Sequence, residues 1–192
     1  MSLSAEQRAA LLTYVDLLAR WNKAYNLTAV RDEGQMVTRH LLDSLAVAPF
    51  LSGRRFLDVG TGAGLPGVPL AVAHPQCEFH LLDSNGKKTR FLFQVKTALR
   101  LDNIVVHQAR VEAFRVDEPY DAVLSRAFAS LQDMAAGCRQ LLAAAGRFLA
   151  MKGAYHTREL EEIRQAYGGV EVHPLEIPGL AEQRHLVEIP LP

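Results

Sequence analysis

The segment Phe56-Leu57-Asp58-Val59-Gly60-Thr61-Gly62-Ala63-Gly64 restricts what this chain can be more than any other stretch. An apolar run of strand length passes straight into alternating glycines, and residues 66–74 beyond them read as a helix. Glycines at such a turn permit positive φ and let a ligand approach the backbone closely. In an open α/β sheet this first strand-to-helix turn lies at the carboxyl ends of the strands, where ligands bind.

The remainder of the chain fits such a sheet. Short apolar strands are expected near 55–59, 78–83, 104–107, 121–125, 147–151, 170–177 and 185–190. Helical patterns fill 66–74, 86–100, 130–144 and 155–167, the alternation that builds a mainly parallel sheet. Only Pro178-Gly179-Leu180 marks a loop between the last two strands, too short for a helical crossover, so that pair is expected to be antiparallel. Upstream, Ser4-Ala5-Glu6-Gln7 has capping-box spacing, and Leu11, Leu12, Val15, Leu18 and Ala19 recur with helical period to about Trp21. A second helix is expected from Met36 to about Val47, carrying Arg39, His40 and Asp43 and ending before Pro49. The reading is a single domain over 1–192, with a helical preface over 1–50 and an α/β core over 51–192.

Composition excludes several classes. A chain of 192 residues, 49% hydrophobic, suits one core, and no apolar run approaches the ~20 residues of a membrane span. The N-terminus lacks a basic-then-apolar signal, which points to the cytosol. Cys77 and Cys138 are too few and too isolated for a disulfide framework or a zinc site, and the seven histidines show no metal-ligand spacing. With 21 basic and 21 acidic residues, any contact with nucleic acid must come from a local patch.

Gly62, Gly64 and Gly67 also satisfy the dinucleotide pattern G-x-G-x-x-G, so an NAD-dependent oxidoreductase has to be weighed. Asp58 would set a carboxylate where a pyrophosphate must sit, and Pro66 and Pro69 remove N–H groups that would receive it. A sulfonium cofactor with an amino-acid tail suits the site better. Asp83, at a strand end 25 positions beyond Asp58, is placed to accept hydrogen bonds from a cofactor ribose; helix N-capping is its alternative. An adenine could lie against Val111 with its edge near Glu112, and Arg126 could pair with the cofactor carboxylate or hold RNA phosphate. Phe128 is more simply core than a base-stacking ring.

The helix from Gly86 has an apolar stripe of Phe91, Leu92, Val95, Ala98 and Leu99, with Lys87, Lys88, Arg90, Lys96 and Arg100 off it and no offsetting acid. Lys87 and Lys88, at the cofactor end, are therefore candidates for RNA phosphate. Gly86-Lys87-Lys88-Thr89 is not a phosphate loop, because Leu81 stands where the earlier glycine is required.

Eight segments together carry a family resemblance: 20–28 (RWNKAYNLT), 39–44 (RHLLDS), 58–69, 82–88 (LDSNGKK), 110–112 (RVE), 125–131 (SRAFASL), 151–153 (MKG) and 184–187 (RHLV). The chain resembles the ribosomal RNA small subunit methyltransferase G family, also called glucose-inhibited division protein B. The resemblance implies a class I, Rossmann-like methyltransferase with a seven-stranded sheet whose last strand is antiparallel. It implies S-adenosyl-L-methionine as cofactor, contacts at Gly60, Leu65, Val111, Glu112 and Arg126, and methyl transfer to N7 of a guanine (guanosine 527) in 16S ribosomal RNA. With the glycine loop and Asp83, the expected cofactor set is Gly60, Gly62, Gly64, Leu65, Asp83, Val111, Glu112 and Arg126. The expected RNA set is His40, Lys87, Lys88, Lys152 and Arg184, with 16S rRNA or the small ribosomal subunit as partner and no metal. No residue is assigned as a catalytic base. The non-enzymatic alternative is an RNA-binding assembly factor with a vestigial cofactor pocket.

Overall fold

The computed structural model describes every residue except Met1, Ala127, Ala129, His156 and Pro192. Ala127 and Ala129 of the 125–131 segment thus lie outside the described residues. Helix α1 (Ala5–Tyr25) begins in the expected capping box at Ser4 and Gln7 and runs beyond Trp21 until Asn26 takes a left-handed conformation at φ 50°. Asp32 caps α2 (Glu33–Met36), which continues through a π-helical turn (Val37–Leu42) into α3 (Asp43–Leu45). That turn bears Arg39 and His40, and π-helical turns of this kind frequently mark functional sites.

The core alternates β1 (Arg55–Val59), α4 (Gly67–Ala73), β2 (Glu78–Asp83), α5 (Gly86–Leu99), β3 (Ile104–Gln108), β4 (Tyr120–Ser125), α6 (Leu131–Cys138), β5 (Leu142–Lys152), α7 (Thr157–Ala166), β6 (Glu171–Pro174) and β7 (His185–Pro190). The strands form one seven-stranded sheet in the order β3-β2-β1-β4-β5-β7-β6. β7 is antiparallel to both β5 and β6, as the short last connection required. The order reverses between β1 and β4, so a crevice opens there at the carboxyl ends of the strands.

Central strands are apolar on both faces because both faces are covered. Phe56, Phe79 and Leu81 meet Tyr14, Val15 and Leu18 of α1 and Phe91 of α5 on one side. Leu57, Phe148 and Val187 meet Met134 of α6 and Ile163 of α7 on the other. Helix α1 therefore packs into the same core as the sheet.

Among the boundaries that departed from expectation, two bear on the sheet. The helix expected over 130–144 ends at Cys138, and Leu142 already pairs with Tyr120 in β5. The alanine run at 143–145 favours helix locally, but strand pairing across a register shift between Tyr120 and Ala122 overrides it. The strand expected over 170–177 is only Glu171–Pro174, with one further cross-strand bond from the Leu175 N–H to the Arg184 carbonyl.

Candidate cofactor and acceptor site

The glycine turn is built around Asp58. Its buried Oδ2 accepts from Thr61 Oγ1 at 2.7 Å and from the Gly67 N–H at 2.8 Å, while Oδ1 has no partner. Burial pushes this carboxyl up to about 6. Asp58 thus organises the turn from beneath, which corrects the expectation that it repels a pyrophosphate directly. From the preface, the Tyr14 hydroxyl donates to the Ala63 carbonyl at 2.8 Å and pins the turn to α1.

The glycines divide the work. Gly60, Gly62 and Gly64 all have positive φ. A Cβ on Gly64 would stand 2.5 Å from Val68 and 2.8 Å from Leu92, so Gly64 serves close packing against α4 and α5, and it lines none of the three cavities described below. A Cβ on Gly62 would meet nothing closer than 3.9 Å; its face is open.

Asp83 ends β2 beside that open face. Its Oδ2 accepts from the Gly62 N–H at 3.0 Å and lies 3.5 Å from Lys88 Nζ, and its Oδ1 accepts from the Asn85 N–H at 2.8 Å. Asn85, not Asp83, caps α5. A carboxylate has about four lone-pair sites and three of these are engaged here, so capacity remains for one further donor such as a ribose hydroxyl.

Three cavities run in series from this point. The first, about 460 Å³, is lined by Val59, Gly60, Leu82, Asp83, Ser84, Lys88, Ala109, Arg110, Val111, Glu112 and Phe128. Half-buried Phe128 packs on the second-face core, in line with the core reading, and also borders this cavity. The second, about 180 Å³, shares Gly60 and adds Leu27, Thr28, His40, Thr61, Gly62, Ala63, Leu65 and Arg126. The third, about 160 Å³, shares Arg126 and adds Asp43, Met151, Lys152, Gly153, Leu175, Arg184 and His185.

Asp43 is the residue the sequence reading left without a role. It is buried, and its carboxylate lies 3.2 Å from Arg126 NH1 and 3.3 Å from Arg184 Nε. Two arginines thus share one acid between the second and third cavities. Asp43 stood in the polar run Arg39-His40-Leu41-Leu42-Asp43, but nothing in that run names its distant partners.

The expected RNA residues divide. Lys87 is exposed, whereas Lys88 lines the first cavity beside Asp83, which corrects its assignment to RNA alone. Lys152 lies 3.0 Å from Glu159 with both side chains largely covered, so its charge is already met. His40 is buried, with Nε2 2.9 Å from Thr28 Oγ1 and Nδ1 unpartnered. Burial lowers its pKa to about 4, so it is a neutral ring at pH 7 and not a phosphate-binding cation.

Both cysteines are buried and free. Carboxylate and imidazole atoms of Glu171, His173 and Glu188 lie within 4.8 Å of one another at the far edge of the sheet, a convergence that sequence spacing did not disclose. Arg147 already holds Glu188 at 2.7 Å there. No helix among the described residues is long and apolar enough to cross a membrane.

Comparison with known proteins agrees with this geometry. The family profile GidB, rRNA small subunit methyltransferase G, matches residues 7–187. Ribosomal RNA small subunit methyltransferase G of Klebsiella pneumoniae (strain 342) is 54% identical over 189 residues, 98% of this chain and 91% of that protein. The protein of the same name from Escherichia fergusonii is 50% identical over the same shares. Among solved structures, a SAM dependent methyltransferase from Aquifex aeolicus superposes with a TM-score of 0.62 at 14% identity, covering 82% of this chain and 93% of that one. M. jannaschii TYW2 in complex with AdoMet gives 0.59 at 13% identity, covering 78% and 74%. At such identities the structures bear on the fold alone, and the fold is that of class I methyltransferases.

Proposed function

Since the chain belongs to the rRNA small subunit methyltransferase G family, we propose that it transfers the methyl group of S-adenosylmethionine to N7 of a guanine in 16S ribosomal RNA. The observation that carries the reading is the series of three cavities joined through Gly60 and Arg126 at the topological switch. Their sizes and linings suit, in order, an adenosine, an amino-acid tail and an acceptor base.

The residues fit the cofactor. Asp83 and Gly60 are positioned for the ribose and the backbone beneath it, Val111 and Glu112 for the adenine, and Gly62, Leu65 and Arg126 for the amino-acid tail. The cofactor contributes an electrophilic methyl on a sulfonium that leaves as a neutral thioether. What the chain contributes is alignment: Arg126 and Arg184, both held by Asp43, frame the place where a base would enter. Guanine N7 has a free lone pair at neutral pH and no proton to lose. His40, already neutral and buried, needs no titration for the step. Membership of this family, at 54% identity over 98% of the chain, disfavours the NAD-dependent alternative.

We further propose that residues 1–192 act as one domain in the cytosol, with 16S rRNA or the small ribosomal subunit as partner. Incubation with methyl-labelled S-adenosylmethionine and 16S rRNA from cells lacking this activity tests the reading, with the labelled nucleoside identified after digestion. Label at guanine N7 is the expected result. Label at another atom, or none on either naked RNA or small subunits, would reject it; cofactor binding without transfer would favour the assembly-factor alternative.

A further inference from the structure

Helix α5 leaves the cofactor site with an outer face that the site itself does not use. Among its residues, Gly86–Leu99, there is no acid. Lys87, Arg90 and Arg100 are exposed, and none of them pairs with a carboxylate among the described residues. Lys87, Arg90 and Phe93 follow one another at i, i+3 and i+6 and so form one slanted stripe of the helix, and Arg100 stands just past the helix end as its left-handed C-cap. On this cationic stripe Phe93 is 54% exposed, although the same helix buries Phe91 completely.

Phe93 therefore presents an open ring face beside Arg90. Lys96, the basic residue one turn further on, turns inward, with Nζ donating to the Ile104 carbonyl. On the other side of α5, which faces α1, the aromatic residues pack among themselves. Trp21 packs against Phe91 with centroids 5.6 Å apart and against Tyr25 at 5.2 Å, and Tyr25 is 44% exposed.

We propose that the outer face of α5 is a docking track for a single-stranded stretch of the RNA substrate, with Phe93 as the platform on which one base stacks. Positive charge without acid complements the phosphate backbone, and an exposed ring offers a π-face to any base. The N-terminus of α5 borders the first cavity, where Lys88 approaches Asp83, so RNA lying along α5 reaches the adenosine end of the cavity series whose other end receives the acceptor base. The inference rests on the proposed function and adds where the strand runs and which side chain reads its bases.

The test uses the full chain, 16S rRNA purified from cells lacking this methylation, labelled S-adenosylmethionine, and RNA binding measured across a salt series. Phe93→Ala should raise KM for RNA by about 5- to 50-fold with S-adenosylhomocysteine affinity unchanged and the salt slope unaltered, because stacking releases no counterions. Phe93→Trp should retain wild-type KM, and Phe93→Leu should not. Arg90→Gln and Arg100→Gln should each lower the salt slope by about 0.7. An unchanged KM in Phe93→Ala, with wild-type transfer intact, would overturn the inference alone. Full function in Phe93→Leu would also overturn it, and would assign the ring to apolar contact with a protein instead. Absence of transfer by the wild-type chain would reject the proposed function, and this inference with it.

Discussion

The carboxylate of Asp43, in the N-terminal helical segment, holds the guanidinium of Arg126, at the end of β4, at 3.2 Å. The two are 83 positions apart in the chain and meet at the boundary between the second and third cavities. Burial raises the Asp43 pKa, while Arg126 and Arg184 lower it, so the acid is retained in a covered place only because two cations face it.

Asp43→Asn should therefore destabilise the fold and loosen both arginines. Breaking a fully buried pair costs about 3–5 kcal/mol, and the partial exposure of both guanidinium groups reduces that to about 2–3 kcal/mol here. Urea denaturation gives the stability change, and calorimetry should show weaker S-adenosylhomocysteine binding. Wild-type values for both would mean that Asp43 is a bystander.

Asp83→Asn should weaken S-adenosylhomocysteine binding by roughly 10- to 150-fold, the loss of a charge-assisted hydrogen bond worth about 1.5–3 kcal/mol. The same carboxylate accepts from Gly62 and Asn85 N–H groups. Asparagine keeps one acceptor oxygen, which makes it a gentler probe of the ribose contact than alanine. Calorimetry at one salt concentration suffices, and unchanged affinity would remove the proposed contact.

The adjacent lysines should separate. Lys87→Ala should leave cofactor affinity alone and lower the salt slope of RNA binding by about 0.7. Lys88→Ala should weaken cofactor binding by up to about fivefold, as expected when a partly exposed cation leaves the carboxylate it orders. Identical behaviour of the two variants would erase the distinction that their burial draws.

His40 should affect stability in acid without shaping the chemical step. Its folded pKa of about 4 lies below the ordinary histidine value of 6.5, so the folded state binds fewer protons than the unfolded chain between those values. Stability contributed by the neutral ring is thus present above about pH 6.5 and is lost as pH falls towards 4, reaching at most about 2 kcal/mol by pH 5. Denaturation midpoints of wild type and His40→Asn, compared at pH 7 and pH 5, should show the smaller acid loss in the variant. At saturating RNA and cofactor, single-turnover transfer by the wild type should have no rising limb between about pH 6 and 8. A steep limb removed by His40→Asn, with binding intact, would instead make His40 a base and point to an acceptor atom that carries a proton.

The sequence by itself determined the order of elements, the glycine turn and the antiparallel final pair, because these follow from local rules: period, glycine at positive φ, and the minimum length of a crossover. It also marked Gly60, Gly62, Asp83, Val111 and Glu112, which stand at strand ends or turns whose place in such a sheet is fixed by topology. What it did not determine were charges met by distant partners. Asp58 faces into its own turn, Lys152 is satisfied by Glu159, and His40 is neutral, all because of burial or pairing that no spacing records. The alanine run at 143–145 became strand because Tyr120 was there to pair with Leu142, and Asp43 joined two arginines because β4, β7 and the preface converge. Local propensity is a property of a segment, whereas desolvation and ion pairing depend on everything brought within a few ångströms, and only the folded chain specifies that neighbourhood.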